Sequence, residues 1–382
     1  MEIYLHIPFC KSKCAYCDFS SCSGRESLMA AYCEAVKREI AAQRKQYGSL
    51  PVSTVYIGGG TPSLMPPHLM ESLLLSLFQA FPLMPEAEVT CEANPGTLTT
   101  DFLCMLKNMG VNRLSLGVQA RQERHLKMLG RIHRWAEVVS SVHMIRKAGF
   151  DNLNLDLMFG LPGQTREDWQ ETMAEAIRLC PEHLSMYGLI LEEGTPLLGL
   201  VLSGKLVMPA DDLERSMYED ALTMASKAGF VQYEVSNFAL PGRECRHNLG
   251  YWQGEYYLGF GAAAHSCMPC SGNEGAYTRF GNVSGLEDYL RTVDNPKRLY
   301  EEYRVISPKE AEFETLMLGL RVVKGVLTAD FFHRHGRTME EAFGSKIKPL
   351  IQKGLLEYKD GGLRLTRKGM DVQNAVLVEL MD

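Results

Sequence analysis

Short runs of strand-forming residues alternate with helical stretches over the first half of the chain, and this alternation constrains the fold more than any other feature. The predicted strands cover residues 2–7, 53–58, 87–92, 112–117, 152–158 and 183–190. Apolar residues at helical spacing fill the stretches between them, at 28–46, 67–81, 99–109, 134–148 and 166–179. Repeated βα units build a parallel sheet. Six of them predict an α/β fold, an open partial (β/α)6 TIM-like barrel, in which the loops at the carboxyl ends of the strands carry the chemistry.

The chain is longer than a single hydrophobic core usually supports, so we expect more than one domain among its 382 residues. Two predicted helices, at 309–323 and 339–353, precede a hairpin centred on Asp360-Gly361-Gly362. This pattern predicts a small, mostly helical, winged-helix-like C-terminal domain. The predicted divisions are a partial barrel over 1–205, a barrel extension and connecting region over 206–300, and the C-terminal domain over 301–382.

Charge and composition argue against several classes of protein. The formal net charge is −6, and residues 301–382 carry 13 Lys and Arg against 13 Asp and Glu. Binding to phosphate backbones requires an excess of positive charge, so nucleic acid is not an expected partner. The N-terminus lacks a basic region followed by an apolar stretch, and the chain has no run of about 18 apolar residues. We therefore expect a cytoplasmic protein.

Three of the eleven cysteines lie within eight residues, directly after the first predicted strand: Cys10, Cys14 and Cys17. A tight loop with three thiolates can ligate three corners of a cubane iron–sulfur cluster and leave the fourth iron without a protein ligand. An open coordination position is what a reactive metal centre requires. A zinc site completed by a ligand from elsewhere in the chain is the alternative interpretation.

A Cys-x3-Cys-x2-Cys loop after the first strand resembles the radical SAM superfamily, which binds S-adenosylmethionine (SAM), and the resemblance covers residues 1–200. It implies a [4Fe–4S] cluster on the three cysteines and SAM bound at the open iron through its amino and carboxylate groups. In that superfamily, one-electron reduction can cleave SAM. The residues that match SAM contacts of this superfamily lie on or beside successive strands: Tyr4, Tyr16, Gly58, Gly59, Gly60, Thr61, Glu92, Gln119, Arg131 and Asp156.

These residue types suit the roles that the resemblance implies. Without side chains, the three glycines let the backbone approach the methionine part of SAM. Carboxylate and amide groups such as Glu92, Gln119 and Asp156 can hold ribose hydroxyls and an amino group, and Arg131 can hold a carboxylate. Each residue alone is as well explained by a cap or a surface position. Their recurrence at successive strand ends favours the binding interpretation.

Longer motifs extend the resemblance to essentially the whole chain. Segments 4–10, 58–62, 157–163 and 259–265 are similar to the oxygen-independent coproporphyrinogen III oxidase group, which includes the HemW haem chaperones. The oxidases have a fourth cysteine two residues after the third, whereas Asp18 and Phe19 follow Cys17 here. The chain also begins nine residues before Cys10, without the N-terminal extension typical of the oxidases.

The segment His247-Asn-Leu-Gly-Tyr251-Trp252 matches the His-Asn-x-x-Tyr-Trp motif of the HemW branch. The resemblance implies haem contact by His247, Tyr251 and Trp252, because imidazole ligates haem iron and aromatic rings cover a flat macrocycle. A histidine before an aromatic pair is more often structural. Four other histidines compete as haem ligands, namely His6, His133, His183 and His265.

Cys267 and Cys270 have the spacing of a metal-binding or redox pair, but no second pair accompanies them. We interpret them as incidental.

The first hypothesis is a haem chaperone that binds haem and transfers it to acceptor haemoproteins, on a scaffold that holds a [4Fe–4S] cluster and SAM. The resemblance also implies a homodimer and peripheral contact with a membrane. The alternative is an enzyme, an oxygen-independent coproporphyrinogen III oxidase that releases carbon dioxide from propionate side chains. Another SAM-dependent reaction on a tetrapyrrole is a third hypothesis, and the sequence leaves open whether SAM is cleaved in the normal cycle.

Overall fold

A twelve-stranded sheet forms the centre of the computed structural model, which describes residues 1–270 and 276–381. Six adjacent strands run parallel to one another in chain order. They are β1 (Glu2–Ile7), β2 (Val52–Gly59), β3 (Leu83–Ala93), β4 (Arg113–Gln119), β5 (Leu153–Phe159) and β6 (His183–Gly188). The first and last strands in the order of the described sheet are not paired, so the sheet stays open. This arrangement confirms the predicted open partial barrel.

A helix or a pair of helices follows each parallel strand. These are α1 (Met29–Tyr47), α2 (Pro67–Ala80), α3 (Thr100–Asn108), α4 (Glu123–Met128), α5 (Trp135–Lys147), α6 (Arg166–Arg178), α7 (Pro196–Leu202) and α8 (Asp211–Lys227). Local sequence fixes their starts, as in α6, where the Thr165 hydroxyl accepts from Asp168 N–H at 3.2 Å and Asp168 Oδ2 accepts from Thr165 N–H at 3.0 Å. The fully buried Trp169 then anchors α6 in the core.

Residues 231–306 widen the sheet on both edges. On the β6 side lie the short antiparallel strands β7 (Val231–Gln232) and β8 (Asn237–Ala239). After α9 (Arg246–Gln253), strand β9 (Tyr257–Phe260) pairs in parallel with β1. The antiparallel strands β10 (His265–Pro269), β11 (Tyr277–Asn282) and β12 (Tyr300–Ile306) follow, with α10 (Leu286–Thr292) and α11 (Pro296–Leu299) before β12.

The C-terminal region has its own hydrophobic cluster, which includes Leu316, Phe331, Ile347 and Leu363. Its elements are α12 (Pro308–Gly319), β13 (Val326–Leu327), α13 (Thr328–His335), α14 (Met339–Gln352), β14 (Leu356–Lys359), β15 (Gly362–Leu365), α15 (Arg367–Asp371) and α16 (Gln373–Leu380). Helices around a three-stranded sheet agree with the predicted winged-helix-like form, although the first helix ends at Gly319 and not at 323. The predicted domain boundaries stay a prediction.

Alternation along the strands decides which side chains face the inside of the barrel. In β1, Ile3, Leu5 and Ile7 are fully buried in the core between sheet and helices. Residues of opposite parity, such as Glu2 and His6, point to the other face. Polar side chains therefore line the interior of the barrel. Among the described residues, no helix has both the length and the apolar character needed to cross a membrane.

Candidate cofactor and cargo sites

Backbone hydrogen bonds hold the cysteine loop at the carboxyl end of β1. Cys10 N–H donates to the carbonyl of Cys22 at 2.8 Å, and Cys22 N–H donates to the carbonyl of Pro8 at 2.7 Å. On the other side of the loop, Ala15 N–H donates to the carbonyl of Leu129 at 2.9 Å. The anchored loop presents three partly exposed free thiols, those of Cys10, Cys14 and Cys17.

The three thiols influence one another electrostatically. Burial raises the pKa of Cys17, and the neighbouring Cys14 and Cys10 add to that increase. Among the described residues, no three His, Cys, Asp or Glu side chains converge closely enough to hold a single metal ion. A cubane cluster does not require such convergence, because each thiolate binds a different iron atom. The donor set therefore fits a cluster better than the zinc site considered from the sequence.

The glycine run after β2 packs directly against the cysteine loop. Gly60 N–H donates to the carbonyl of Ile7 at 2.7 Å, and Thr61 N–H donates to that of Phe9 at 2.8 Å. A Cβ on Gly60 would lie 2.7 Å from the Phe9 carbonyl oxygen, and one on Gly59, whose φ is +107°, would lie 2.5 Å from the His6 ring. Glycine is needed here because backbone and ring leave no space for a side chain.

A chain of polar contacts joins two of the cysteine thiols. The Arg131 guanidinium donates to Cys14 Sγ at 3.5 Å and to the Asn94 side-chain oxygen at 2.5 Å. Asn94 Nδ2 donates to Thr61 Oγ1 at 2.8 Å, and the Thr61 hydroxyl donates to Cys10 Sγ at 3.7 Å. Donors directed at sulfur stabilise its thiolate form. Arg131 and Thr61, both predicted from the sequence, are thereby brought together with the cysteines.

Glu92 and Asp156 place two carboxyl groups inside the barrel near its carboxyl end. Glu92 accepts from the Tyr56 hydroxyl at 2.9 Å and from Gly59 N–H at 3.1 Å. Burial, reinforced by the negative charge of Asp156, raises the pKa of Glu92 to about 7. Burial also raises the pKa of Asp156, which accepts from Ser115 at 3.0 Å and from Asn154 at 2.7 Å. Buried carboxyls with raised pKa values are frequent at functional sites.

The remaining predicted SAM residues border the same region. Gln119 is buried at the end of β4 and has a positive φ of 69°, which is uncommon outside glycine. Tyr16 packs beside a small apolar cluster that includes Leu129. Burial raises the pKa of Tyr16 above its ordinary range. The Tyr4 hydroxyl lies 3.0 Å from His6 Nδ1, and His6 Nε2 lies 2.8 Å from the carbonyl of Ser20.

The motif histidine lies at the opposite, amino end of the parallel strands. His247 Nδ1 is 2.7 Å from Thr54 Oγ1, and its backbone N–H donates to Glu88 Oε1 at 3.2 Å. Thr54 precedes Gly58 by four residues along β2, about 13 Å at the usual strand rise. The imidazole is only 1% exposed, and its Nε2 has no hydrogen-bond partner among the described residues. Haem contact by His247 stays a prediction.

Aromatic rings surround this buried imidazole. His247 stacks on Tyr56 at 5.2 Å between ring centroids and meets the edge of Tyr251 at 4.7 Å. Burial lowers the pKa of His247 to about 3 and raises that of the neighbouring Glu2 to about 8. Although Nδ1 lies 3.9 Å from Glu2 Oε2, both groups are therefore neutral near pH 7. The contact is not an ion pair.

Three of the competing histidines are also buried and bonded within the fold. Besides His6, His133 Nε2 lies 3.2 Å from the carbonyl of Val118, and the His183 ring lies between Asn154 and Tyr233. His265 differs from them, because half of its side chain is exposed.

A cavity of about 780 Å³ lies beside β1, between the added strands of the sheet and the C-terminal region. Its lining includes Tyr4, Tyr251 and Trp252, three of the four aromatic residues predicted for the sites, together with His265 and Cys267. The Trp252 indole N–H is buried without a partner among the described residues. Sites for cofactor-sized ligands usually enclose about 300 to 1,000 Å³, are mainly apolar and carry a few polar groups. Tyr4 joins this cavity to the glycine run through His6.

Two residues that matter to these sites were missed from the sequence. Asn94 bridges Arg131 and Thr61, and its place in Glu92-Ala93-Asn94-Pro95, at a strand end, was the available signal. Glu88 accepts from the backbone N–H groups of Arg246 and His247 and from the Cys245 thiol. No local pattern marks Glu88, because it lies within a strand and meets α9 only in the folded chain.

Comparison with known proteins identifies the family. The model of the Radical SAM superfamily matches residues 4–176, and that of the HemN C-terminal domain matches residues 306–372. Heme chaperone HemW of Bacillus subtilis (strain 168) is 36% identical over 98% of this chain and 97% of its own length. The HemW of Synechocystis sp. (strain ATCC 27184 / PCC 6803 / Kazusa) is 40% identical over 85% of this chain and 79% of its own.

A solved structure has the same fold. Coproporphyrinogen III oxidase (HemN) from Escherichia coli, a Radical SAM enzyme, superimposes with a TM-score of 0.84 over 99% of this chain and 89% of its own, at 21% identity. At that identity the likeness extends to the fold alone. The two HemW matches, at 36% and 40% identity, are closer in sequence. This chain belongs to the HemW family of the radical SAM superfamily.

Proposed function

We propose that this protein is a haem chaperone, which binds haem and transfers it to acceptor haemoproteins. The observation that carries the proposal is the cavity of about 780 Å³ lined by Tyr251 and Trp252. Their motif is the one that separates the HemW branch from the oxidases, and it lines a space of suitable size for a flat macrocycle. The names of the relatives, Heme chaperone HemW, support the same function.

The proposal includes a [4Fe–4S] cluster held by Cys10, Cys14 and Cys17. The thiols fit such a group because they are accessible, lie on an anchored loop and receive donors from Arg131 and Thr61. These two donors would hold negative charge on sulfur, and the loop would leave one iron open. When bound, the cluster and SAM would together supply one-electron chemistry, which can cleave SAM.

SAM would lie over the glycine run, within reach of the polar side chains at neighbouring strand ends. Gly58, Gly59 and Gly60 keep the wall of the site free of side chains, while Glu92 and Asp156 offer carboxyl oxygens inside it. The proposed set is completed by Thr61, Gln119, Arg131, Tyr4 and Tyr16. Glu92, with a pKa raised to about 7, can accept or donate a hydrogen bond at neutral pH.

The proposal extends to the partners of the protein. Acceptor haemoproteins would receive haem by direct transfer, and the protein would act in the cytoplasm as a homodimer that touches a membrane surface without crossing it. The similarity to HemW proteins, which covers 98% of this chain in one relative and 85% in the other, supports these interactions as a group. We propose no role in nucleic acid binding.

The test uses the full chain after anaerobic reconstitution of the cluster. Titration with ferric haem should produce a saturable Soret band. Transfer to an apo-haemoprotein should then become faster as the acceptor concentration rises, because direct transfer, unlike release of haem into solution, requires contact with the acceptor. Trp252→Ala should weaken haem binding about tenfold, because it removes a large aromatic wall of the cavity. A Phe332→Ala variant, which removes an exposed ring outside the cavity lining, is the matched control.

The same preparation separates this proposal from enzymatic alternatives. Incubation with coproporphyrinogen III and a reductant should give no protoporphyrinogen. Conversion of coproporphyrinogen would contradict the chaperone proposal and show that the protein is an oxidase. Formation of 5′-deoxyadenosine in proportion to the haem consumed would instead show a SAM-dependent reaction on haem.

A further inference from the structure

The cavity of about 780 Å³ has a floor of strands and a roof of helices. Its floor includes Tyr4 on β1, Tyr257 on β9, and residues of β10 and β11 that point to the same face of the sheet. Its roof is formed by α12 and the end of α13. In β10, His265 and Cys267 point into the cavity, whereas Ser266 is buried on the other face. The space thus has a histidine on its floor.

His265 has a carboxylate neighbour at ion-pair distance and a glycine beneath its ring. Its ring lies over Gly281, the residue opposite it on β11, where a Cβ would be 2.7 Å from His265 Cε1. Its Nδ1 lies 3.7 Å from a carboxylate oxygen of Glu302 on β12. A carboxylate beside one ring nitrogen usually fixes the orientation of a ligating imidazole. The other nitrogen, Nε2, stays available in the half-exposed side chain.

The other candidate ligands around the cavity are less suitable. His335 Nε2 lies 2.9 Å from the Thr315 hydroxyl, and its ring packs on Phe331 at 4.6 Å. Burial raises the pKa of Cys267 to about 11, so it is a neutral thiol and a weak ligand at pH 7. His247 is sealed behind Tyr251. His333, exposed on the roof, is the one strong competitor among the described lining residues.

One cation near the cavity is suited to a haem propionate. Arg334 lines the cavity beside Gly254 and has no carboxylate in salt-bridge distance within the part of the chain that the structure describes. Arg279, by contrast, is paired with Glu314 at 2.8 Å. Arginine pairs well with carboxylates in two-point contacts.

From these positions we propose that His265 supplies the imidazole ligand of haem iron and that Arg334 holds a propionate. This inference rests on the proposed haem-binding function and deepens it by naming the ligand. It also gives His247 a different role from the one implied by sequence resemblance. Tyr251 and Trp252 would form the wall of the cavity, and His247 would support Tyr251 from behind.

The test is a titration of the full-length protein with ferric haem, followed by absorption and electron paramagnetic resonance spectroscopy. The wild type should give the spectrum of imidazole-ligated haem. His265→Ala should lose that spectrum and bind haem about tenfold more weakly, because an iron–ligand bond is removed. Added imidazole should restore the spectrum of His265→Ala. Arg334→Ala should weaken binding by about tenfold and leave the spectrum unchanged.

Matched variants separate the candidate ligands. His333→Ala and His247→Asn should keep the imidazole-ligated spectrum, and circular dichroism of each apoprotein checks that it is folded. Retention of the spectrum in His265→Ala, or its loss in His333→Ala alone, would overturn the inference and leave the haem chaperone proposal intact. A wild-type protein that binds no haem would overturn both. If His265→Ala fails to fold, His265→Gln serves the same comparison, since the side chain is half exposed.

Discussion

The two ends of the parallel sheet use polar side chains in different ways. At the carboxyl ends, the cysteine loop, Thr61 and Arg131 form contacts to sulfur while the thiols stay partly exposed. At the amino ends, Glu2, Glu88 and His247 are almost completely buried beneath or within α9. The first set leaves donors available for a ligand, whereas in the second set Glu88 accepts from backbone N–H groups at the start of α9 and all three side chains are sealed from solvent. The histidine of the His247–Trp252 motif therefore lies at the amino end, where the buried side chains serve the structure of the protein.

Replacement of the three cysteines of the loop should have the largest effect. It should abolish cluster binding at the carboxyl end and leave the stability of the fold almost unchanged. In a Cys10→Ala/Cys14→Ala/Cys17→Ala variant, anaerobic reconstitution should leave almost no iron, against about four irons and four acid-labile sulfides per wild-type chain. The thermal unfolding of the unreconstituted proteins should differ little, because the thiols are partly exposed. Iron and sulfide assays provide the measurement.

Cys22 offers the control for that variant. It lies beside the loop, where its thiol donates to the carbonyl of Pro8 at 3.5 Å, but it is outside the three-cysteine motif. Cys22→Ala should retain four irons. Full iron content in the triple variant would contradict the assignment of the carboxyl end to cofactor binding.

Replacement of Glu88 should have the opposite profile, with lost stability and a retained cluster. Glu88 accepts from the N–H groups of Arg246 and His247 at the start of α9, both at 3.2 Å. Glu88→Ala leaves these buried donors without a partner and removes the negative charge near Arg113. We expect the free energy of unfolding to fall by about 3 to 5 kcal/mol. Denaturant titration of the unreconstituted protein measures it.

Glu88→Gln is the matched variant, because it keeps an acceptor oxygen and loses only the charge. Its loss of stability should be smaller than that of Glu88→Ala. If the two variants lose the same stability, the negative charge of Glu88 holds α9 at the amino end, and its role as a hydrogen-bond acceptor for the helix start does not.

The sequence predicted the parallel core well because those strands have long apolar runs separated by helical periods. It did not predict most of the strands that follow residue 230. The strands β7 and β8, for example, have only two and three residues, which is too short for an alternating pattern to be recognised. The position of the cysteine loop at the carboxyl end of β1 was predictable, because the loop directly follows the first predicted strand. The position of His247 was not, because the contacts of α9 with Thr54 and Glu88 span more than 150 residues of the chain. Interior polar residues also break the alternation that sequence analysis relies on.

The smallest expected effect concerns pH and Glu2, which is buried at the amino end. Burial raises the pKa of Glu2 from 4.5 to about 8, so the folded protein binds its proton more tightly than the unfolded chain does. Stability is therefore lost as pH rises between these values. The Glu2→Gln variant cannot titrate at this position. Between pH 6 and pH 8 the wild type should therefore lose about 2 kcal/mol more of its free energy of unfolding than the variant does. Glu193→Gln, on an exposed loop, should show no such difference. A Glu2→Gln difference that is independent of pH would mean that Glu2 is ionised in the folded protein, and the amino end would then resemble the carboxyl end more closely than its burial indicates.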